Sequence, residues 1–281
     1  IDSDDVLAGK LANYRVLLLP FTYCMEREIA EAIKDYVREG GIVIAEPFCA
    51  THDEHAVPYG EAPGAGLSEL FGCRAVESVN YRYWLVGHAV EMGPQGAAIT
   101  GVKEGARFWL SGLRERVELV SDRAEVLFEF IEYPPLQSRS PAAVLHSFGK
   151  GKSVYFCAGL GEAFMKMELP YLKQLVAGLL RWLGVEKMVE VEGPGEQAAG
   201  DLEIMVLDAA NSDDRSVVVI NHGQQDVEAT LRVFPRVEGQ LQIREVITFD
   251  SLSFTREDGR LRLDARIPGR DVRIYNIYKL T

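Results

Sequence analysis

Residues 15–47 read RVLLLPFTYCMEREIAEAIKDYVREGGIVIAEP. The run RVLLLP, residues 15–20, is apolar without alternation, as a parallel strand covered on both faces requires. Between Glu26 and Arg38 the apolar positions Ile29, Ile33, Tyr36 and Val37 recur at helical spacing, and Gly40 and Gly41 end the pattern as a helix C-terminus should. IVIAEP, residues 42–47, is a second apolar strand. Strand, helix and strand in immediate succession form a βαβ unit, whose crossover sets the two strands parallel. The spacing therefore predicts an α/β domain with a mostly parallel sheet.

Downstream, GAGLSELFG, residues 64–72, reads as one short helix between glycines, and YRYWLVGHAVEM, residues 81–92, continues the sheet. Residues 142–158 hold two strand-like runs around Gly149-Lys150-Gly151, a hairpin signal. The strongest helix follows, with Leu172, Leu175, Val176, Leu179, Leu180 and Leu183 on one broad face and Gly184 as its stop. EVEGPGEQAAGD, residues 190–201, has no periodicity and reads as the linker. Beyond it only short alternating runs occur, separated by turn residues as in a small antiparallel β-sandwich. The expected domains are residues 1–189, a linker at 190–200, and an all-β domain at 201–281.

A chain of 281 residues suits two such domains. Its net charge of -12 offers no basic face for nucleic acid and no polybasic patch for a membrane surface. No apolar run approaches the roughly 20 residues that span a bilayer, and no charged start followed by an apolar segment and a small-residue cleavage site appears, any signal lying upstream of Ile1. Starting at Ile1, the chain reads as an excised or processed piece of a longer protein, and the cytoplasm is its expected compartment. Cys24, Cys49, Cys73 and Cys157 show neither C-x-x-C pairing nor zinc spacing, so reduced and mostly buried thiols are expected. No metal and no cofactor is called for.

Cys49 follows a parallel strand, where α/β folds place nucleophiles, and His52 and His55 follow it closely. A nucleophile elbow wants small residues around the nucleophile, yet EPFCATH supplies Pro47 and Phe48 and no flanking glycine. HDEH, residues 52–55, reads as a solvated polar loop rather than a metal cluster, since H-x-x-H needs a rigid helix to converge. Gly64 and Gly66 open the short helix and could cradle an anion, though a glycine-rich turn alone is common. His88, His146 and His222 stand singly and read as structural. No carboxylate pair is marked out for glycoside hydrolysis.

Four segments resemble glycoside hydrolase family 42 β-galactosidases. DDVLAGKLANYRVLLLP and the helix and GGIVIAEP strand after it are similar to the opening of that family's second domain. Asp53-Glu54 and PGAGLSELFGC resemble its D-E loop and P-G-x-L-x-E-L-x-G segment, here one residue longer. GKGKSVYF and LLRWLG match the domain's end, and SVVVINHGQQDVEATL is similar to the small C-terminal β domain. The resemblance implies a class I glutamine amidotransferase-like fold that serves as a homotrimerisation domain. It also implies a degenerate active site: the elbow position carries EPFCATH, and in VYFCAGLGE Cys157 stands in place of the catalytic histidine. The family's Asn-Glu acid/base dipeptide is absent from the sequence, and 281 residues leave no room for a (β/α)₈ barrel beside the two domains.

The expected function is thus the non-catalytic, C-terminal portion of a β-galactosidase-like enzyme, with self-association and an upstream barrel as partners, and with Asp53, Glu54, Gly64 and Gly66 in an interface loop. Two other classes compete. One is a cysteine hydrolase using Cys49 with His52 or His55. The other is a carbohydrate-binding module using Tyr81, Tyr83, Trp84 and Trp109, residues whose alternation with apolar neighbours places them in the sheet core.

Overall fold

After a short helix α1 (Ser3–Leu7), residues 15–47 form β1 (Val16–Leu19), α2 (Arg27–Arg38) and β2 (Ile42–Ala45), with β1 and β2 paired in parallel. Ile29, Ala30, Ile33 and Val37 are the buried apolar face of α2, each large aliphatic side chain contributing about 1.5–3 kcal/mol by leaving water. These coordinates are a computed structural model, which describes residues 1–80, 88–110, 112–131, 139–167, 170–185 and 187–280. The chain divides into two units, Ile1–Val185 and Glu186–Thr281.

The first unit continues through α3 (Leu67–Phe71), β3 (Cys73–Asn80), β4 (His88–Met92), α4 (Pro94–Thr100), β5 (Arg107–Leu110), β6 (Leu113–Leu119) and β7 (Ala124–Phe130). It closes with β8 (Ser140–Phe148), β9 (Gly151–Phe156), α5 (Leu160–Met167) and α6 (Pro170–Trp182). Seven strands make one sheet in the order β1-β2-β9-β8-β7-β4-β5, while β3 and β6 pair separately. Ser153 donates its hydroxyl to the Leu70 carbonyl of α3 at 2.7 Å, and the next residue back, Lys152, lies 3.9 Å over the Trp182 ring of α6. Successive strand residues point to opposite faces, so α3 and α6 cover opposite sides of the sheet.

Three expectations are corrected here. The sheet is mixed rather than mostly parallel: β1–β2 and β2–β9 are parallel, and the four remaining pairs are antiparallel. The hairpin at Gly149-Lys150 is the cause, because a two-residue turn returns β9 beside β8 in the opposite direction. Nor is β1 covered on both faces; it is the edge strand, and Leu18 is 61% exposed between buried Leu17 and Leu19. Trp109, expected in the sheet core, is exposed at the opposite edge in β5. Tyr81, Tyr83 and Trp84 lie outside the described residues.

The second unit is built from β10 (Val189–Glu192), α7 (Glu196–Gly200), β11 (Leu202–Asp208), β12 (Arg215–Asn221), β13 (Val227–Val233) and β14 (Leu241–Glu245). β15 (Ser251–Leu252), β16 (Thr255–Glu257), β17 (Arg260–Ile267) and β18 (Val272–Lys279) complete it. Two antiparallel sheets, β10-β13-β17-β16 and β11-β12-β18-β14-β15, enclose a core that includes Val217, Val219, Leu231, Ile243, Leu263 and Ile277. Residues 190–200 are therefore not a bare linker: Val189–Glu192 pairs along β13, and a short helix follows. The alternating VEVE of residues 189–192 is a strand signal that the glycines and proline after it obscure.

Candidate functional site

Parallel strands present their C-terminal ends to a common crevice, the usual location of chemistry in α/β sheets. Here the crevice lies where β1, β2 and β9 end. The chain leaves β1 and β2 through left-handed backbone at Phe21 (φ 42°), Phe48 (φ 64°) and Ala50 (φ 50°), conformations that non-glycine residues hold only when their surroundings enforce them. The enforcement is visible. The two loops are joined by the amides of Ala50 and His52, which donate to Thr22 and Tyr23 carbonyls at 2.7 and 3.0 Å, and by the Met25 amide, which donates to the His52 carbonyl at 3.0 Å. Tyr23 and Phe48 stack above them with ring centroids 5.5 Å apart.

Cys49 follows the strained Phe48 and is fully buried. Burial, and secondly the neighbouring Glu115, push its thiol up to about 12, the opposite of what a nucleophilic thiolate needs. His52 turns toward Thr51, its Nδ1 2.8 Å from the hydroxyl. His55 is exposed, with Nε2 3.6 Å from Glu54. The fold thus does not assemble a thiol–imidazole pair from these residues. Cys157, where the resemblance implies a catalytic histidine, is also fully buried, and desolvation raises its thiol well above the ordinary range.

Asp53 shapes the loop. Its Oδ1 accepts the amides of His55 and Val57 at 2.9 and 2.8 Å, and the Val57 amide above all holds the carboxyl below the usual carboxylate range. Tyr59 fastens the loop to the start of α2, donating its hydroxyl to the Met25 carbonyl at 2.8 Å beneath the Arg27 guanidinium. Glu54 borders two surface hollows, of about 350 and 440 Å³, on the α1 and Tyr59 sides of the loop. Gly64 backs against the Ala50 carbonyl so closely that a Cβ would sit 2.0 Å from its oxygen. Its amide points to the Cys49 carbonyl at 3.4 Å, and the helix after Gly66 has only five residues, so the glycines close a turn rather than present a free anion cradle. Among the described residues, no three His, Cys, Asp or Glu side chains converge to hold a metal.

The groups that occupy the crevice are carboxyls absent from the sequence-derived candidates. Glu115 of β6 is fully buried; its Oε2 accepts the Tyr155 hydroxyl at 2.5 Å and the Phe48 amide at 3.0 Å. Glu46, at the end of β2, is 9% exposed and accepts the Gly161 amide at 2.6 Å, closing the first turn of α5. Desolvation raises both carboxyls, against the hydrogen bonds that pull them back. In LRERVEL, residues 113–119, Glu115 sits among charges and reads as solvent-facing, but it shares a face with Leu113 and with Val117, which is buried. That period-two pattern was the available signal. Hydrolysis of a glycosidic bond needs carboxyls that reach a sugar, and Glu115 reaches only protein.

The class defined by this geometry is an α/β unit whose strand-end crevice is filled by its own side chains, followed by an antiparallel β-sandwich. The chain belongs to the β-galactosidase trimerisation domain family, whose model matches residues 6–186. It is 26% identical over 214 residues to β-galactosidase LacZ of Heyndrickxia coagulans, a match covering 76% of this chain and 27% of that protein. It is 29% identical over 200 residues to β-galactosidase BglY of Alicyclobacillus acidocaldarius, covering 69% and 25%. The chain thus spans about a quarter of the length of these curated relatives. Its fold is similar to that of the β-galactosidase from Bacillus circulans sp. alkalophilus, with a TM-score of 0.70 and 20% identity over 96% of this chain and 34% of that one. Among the described residues no helix is long and apolar enough to cross a membrane.

Proposed function

We propose that the chain is the assembly portion of a β-galactosidase-like glycoside hydrolase, non-catalytic in itself, in which the first unit joins copies into a homotrimer. The family match over residues 6–186 carries this reading. In the longer parent, the loop that holds Asp53, Glu54, Gly64 and Gly66 lies against a neighbouring subunit and helps to enclose an active site supplied by a catalytic barrel. The first unit is read as a class I glutamine amidotransferase-like fold that has lost its chemistry. A fully buried Cys49 and Cys157, and a crevice filled by Glu115, support that reading.

Sedimentation equilibrium of the whole chain tests the assembly. The expected mass is three times the 31.2 kDa of one chain, and a monomer at micromolar concentration overturns the reading. The purified chain is expected to leave nitrophenyl galactosides unhydrolysed; turnover abolished by substituting Glu46 or Cys49 would assign it a catalytic role instead.

A further inference from the structure

Glu115 sits in surroundings that do not suit its charge. The Phe48 amide and the Tyr155 hydroxyl both donate to Oε2, and Oε1 has no hydrogen-bond partner by distance and angle. The groups around it are Tyr155 of β9 and Cys157 just after that strand, Cys49 and Tyr23 of the loops after β2 and β1, and Cys73 at the start of β3. Ser78 lies across the β3–β6 pair. Glu162 adds a second acidic group near Tyr23, and Glu46 lies near Glu162. Arg114 and Arg116, the adjacent residues of β6, point to the opposite face, where Arg114 lies 4.4 Å over the Phe130 ring and Arg116 pairs with Glu77 at 2.9 Å. A buried carboxylate without a cation is costly and avoids the cost by keeping its proton.

We propose that Glu115 is a protonated latch: as a neutral acid it seats the left-handed elbow at Phe48 against β6 and β9, and its ionisation as pH rises draws water into the crevice and frees residues 47–66. The elbow is the element able to move, because Phe48 and Ala50 hold backbone conformations that relax once the surrounding contacts loosen. The proposal rests on the assembly reading only for its consequence, since the freed segment is the loop assigned there to a neighbouring subunit. The sign follows from the environment. Burial raises the folded-state carboxyl, while hydrogen bonds from Tyr155, Phe48 and Ser78 oppose the rise. The latch is therefore at full strength in acid, below the ordinary glutamate range, and is lost as pH climbs through the raised value.

Hydrogen exchange of the amides in residues 48–66 of the full chain, corrected for intrinsic rate from about pH 5 to about pH 9, reads the latch directly, and carbon NMR follows the Glu115 carboxyl. Above the midpoint, loop protection should fall about tenfold per pH unit, the slope of a single proton. Glu115→Gln should flatten that dependence. Tyr155→Phe removes a donor that favours the ionised form and should move the transition to higher pH, which keeps the test decisive if Glu115→Gln fails to fold. A carboxyl already ionised at about pH 5, a wild-type pH dependence in Glu115→Gln, or an unmoved transition in Tyr155→Phe overturns the latch. Sedimentation in the same buffers reports on the trimer separately, so the loss of one reading is not mistaken for the loss of the other.

Discussion

At the scale of single residues, the crevice turns reactive side chains into structural ones. A thiol held near 12 is neutral at any physiological pH, so iodoacetamide at neutral pH should label exposed Cys24 and spare Cys49, Cys73 and Cys157 until denaturant is added. Peptide mass spectrometry checks this; rapid native labelling of Cys49 would contradict the burial described. Asp53 gives a second test. Its carboxyl is held low by the amides it accepts, so its contribution to loop structure is present above the ordinary carboxylate range and is lost as pH falls through the depressed value. Asp53→Ala should speed exchange of the His55 and Val57 amides at neutral pH, and acid should do the same to the wild type. Of these residues the sequence made Cys49, His52, His55 and Asp53 visible as candidates by type and spacing. Glu115 it marked only by the alternation that places it on the buried face of β6, and it could not show the role, because the partners Phe48 and Tyr155 lie 67 and 40 positions away and only the folded sheet brings them to one oxygen.

At the scale of elements, close backbone approach decides what can change. Gly178, in the middle of α6, packs on α4 so tightly that a Cβ would lie 1.9 Å from the Thr100 carbonyl oxygen. Alanine there raises helix propensity by about 1 kcal/mol, but overpacking costs about 1–3 kcal/mol in a well-filled core and more where the obstacle is backbone. Gly178→Ala should therefore lower stability, by about 1–2 kcal/mol in urea unfolding, where an exposed helical glycine would give the opposite sign. In the sandwich, Arg215 is 5% exposed and forks onto Asp208 at 2.6 and 2.9 Å while donating to the Phe234 carbonyl at 2.6 Å. Arg215→Ala should cost about 2–3 kcal/mol in urea unfolding, less than a fully buried pair, since the Asp208 side chain is 42% exposed. Apolar runs and glycine stops made the first βαβ unit and α6 readable. Sheet direction was not, because an apolar run looks alike in parallel and antiparallel pairings; the direction came from the turn at Gly149-Lys150 and from pairings remote in sequence.

At the scale of the whole molecule, the two units are separable in principle, each with a hydrophobic core of its own. Expressed apart, residues 1–185 should keep the self-association of the full chain and residues 186–281 should sediment as a monomer. Association that follows the sandwich instead would move the assembly surface out of the matched family region. The overall plan of an α/β unit followed by an all-β unit was legible in composition and periodicity, whereas the seam was not, because a four-residue strand is too short to stand out beside a glycine-rich stretch. Pairing of Val189–Glu192 with β13 therefore fixes where a chimaera can be spliced. A graft joined at residue 195 would carry away one border of a sheet, leaving β13 an open edge ready to recruit strands from other molecules. A graft joined between Val185 and Glu186 transplants each sheet whole.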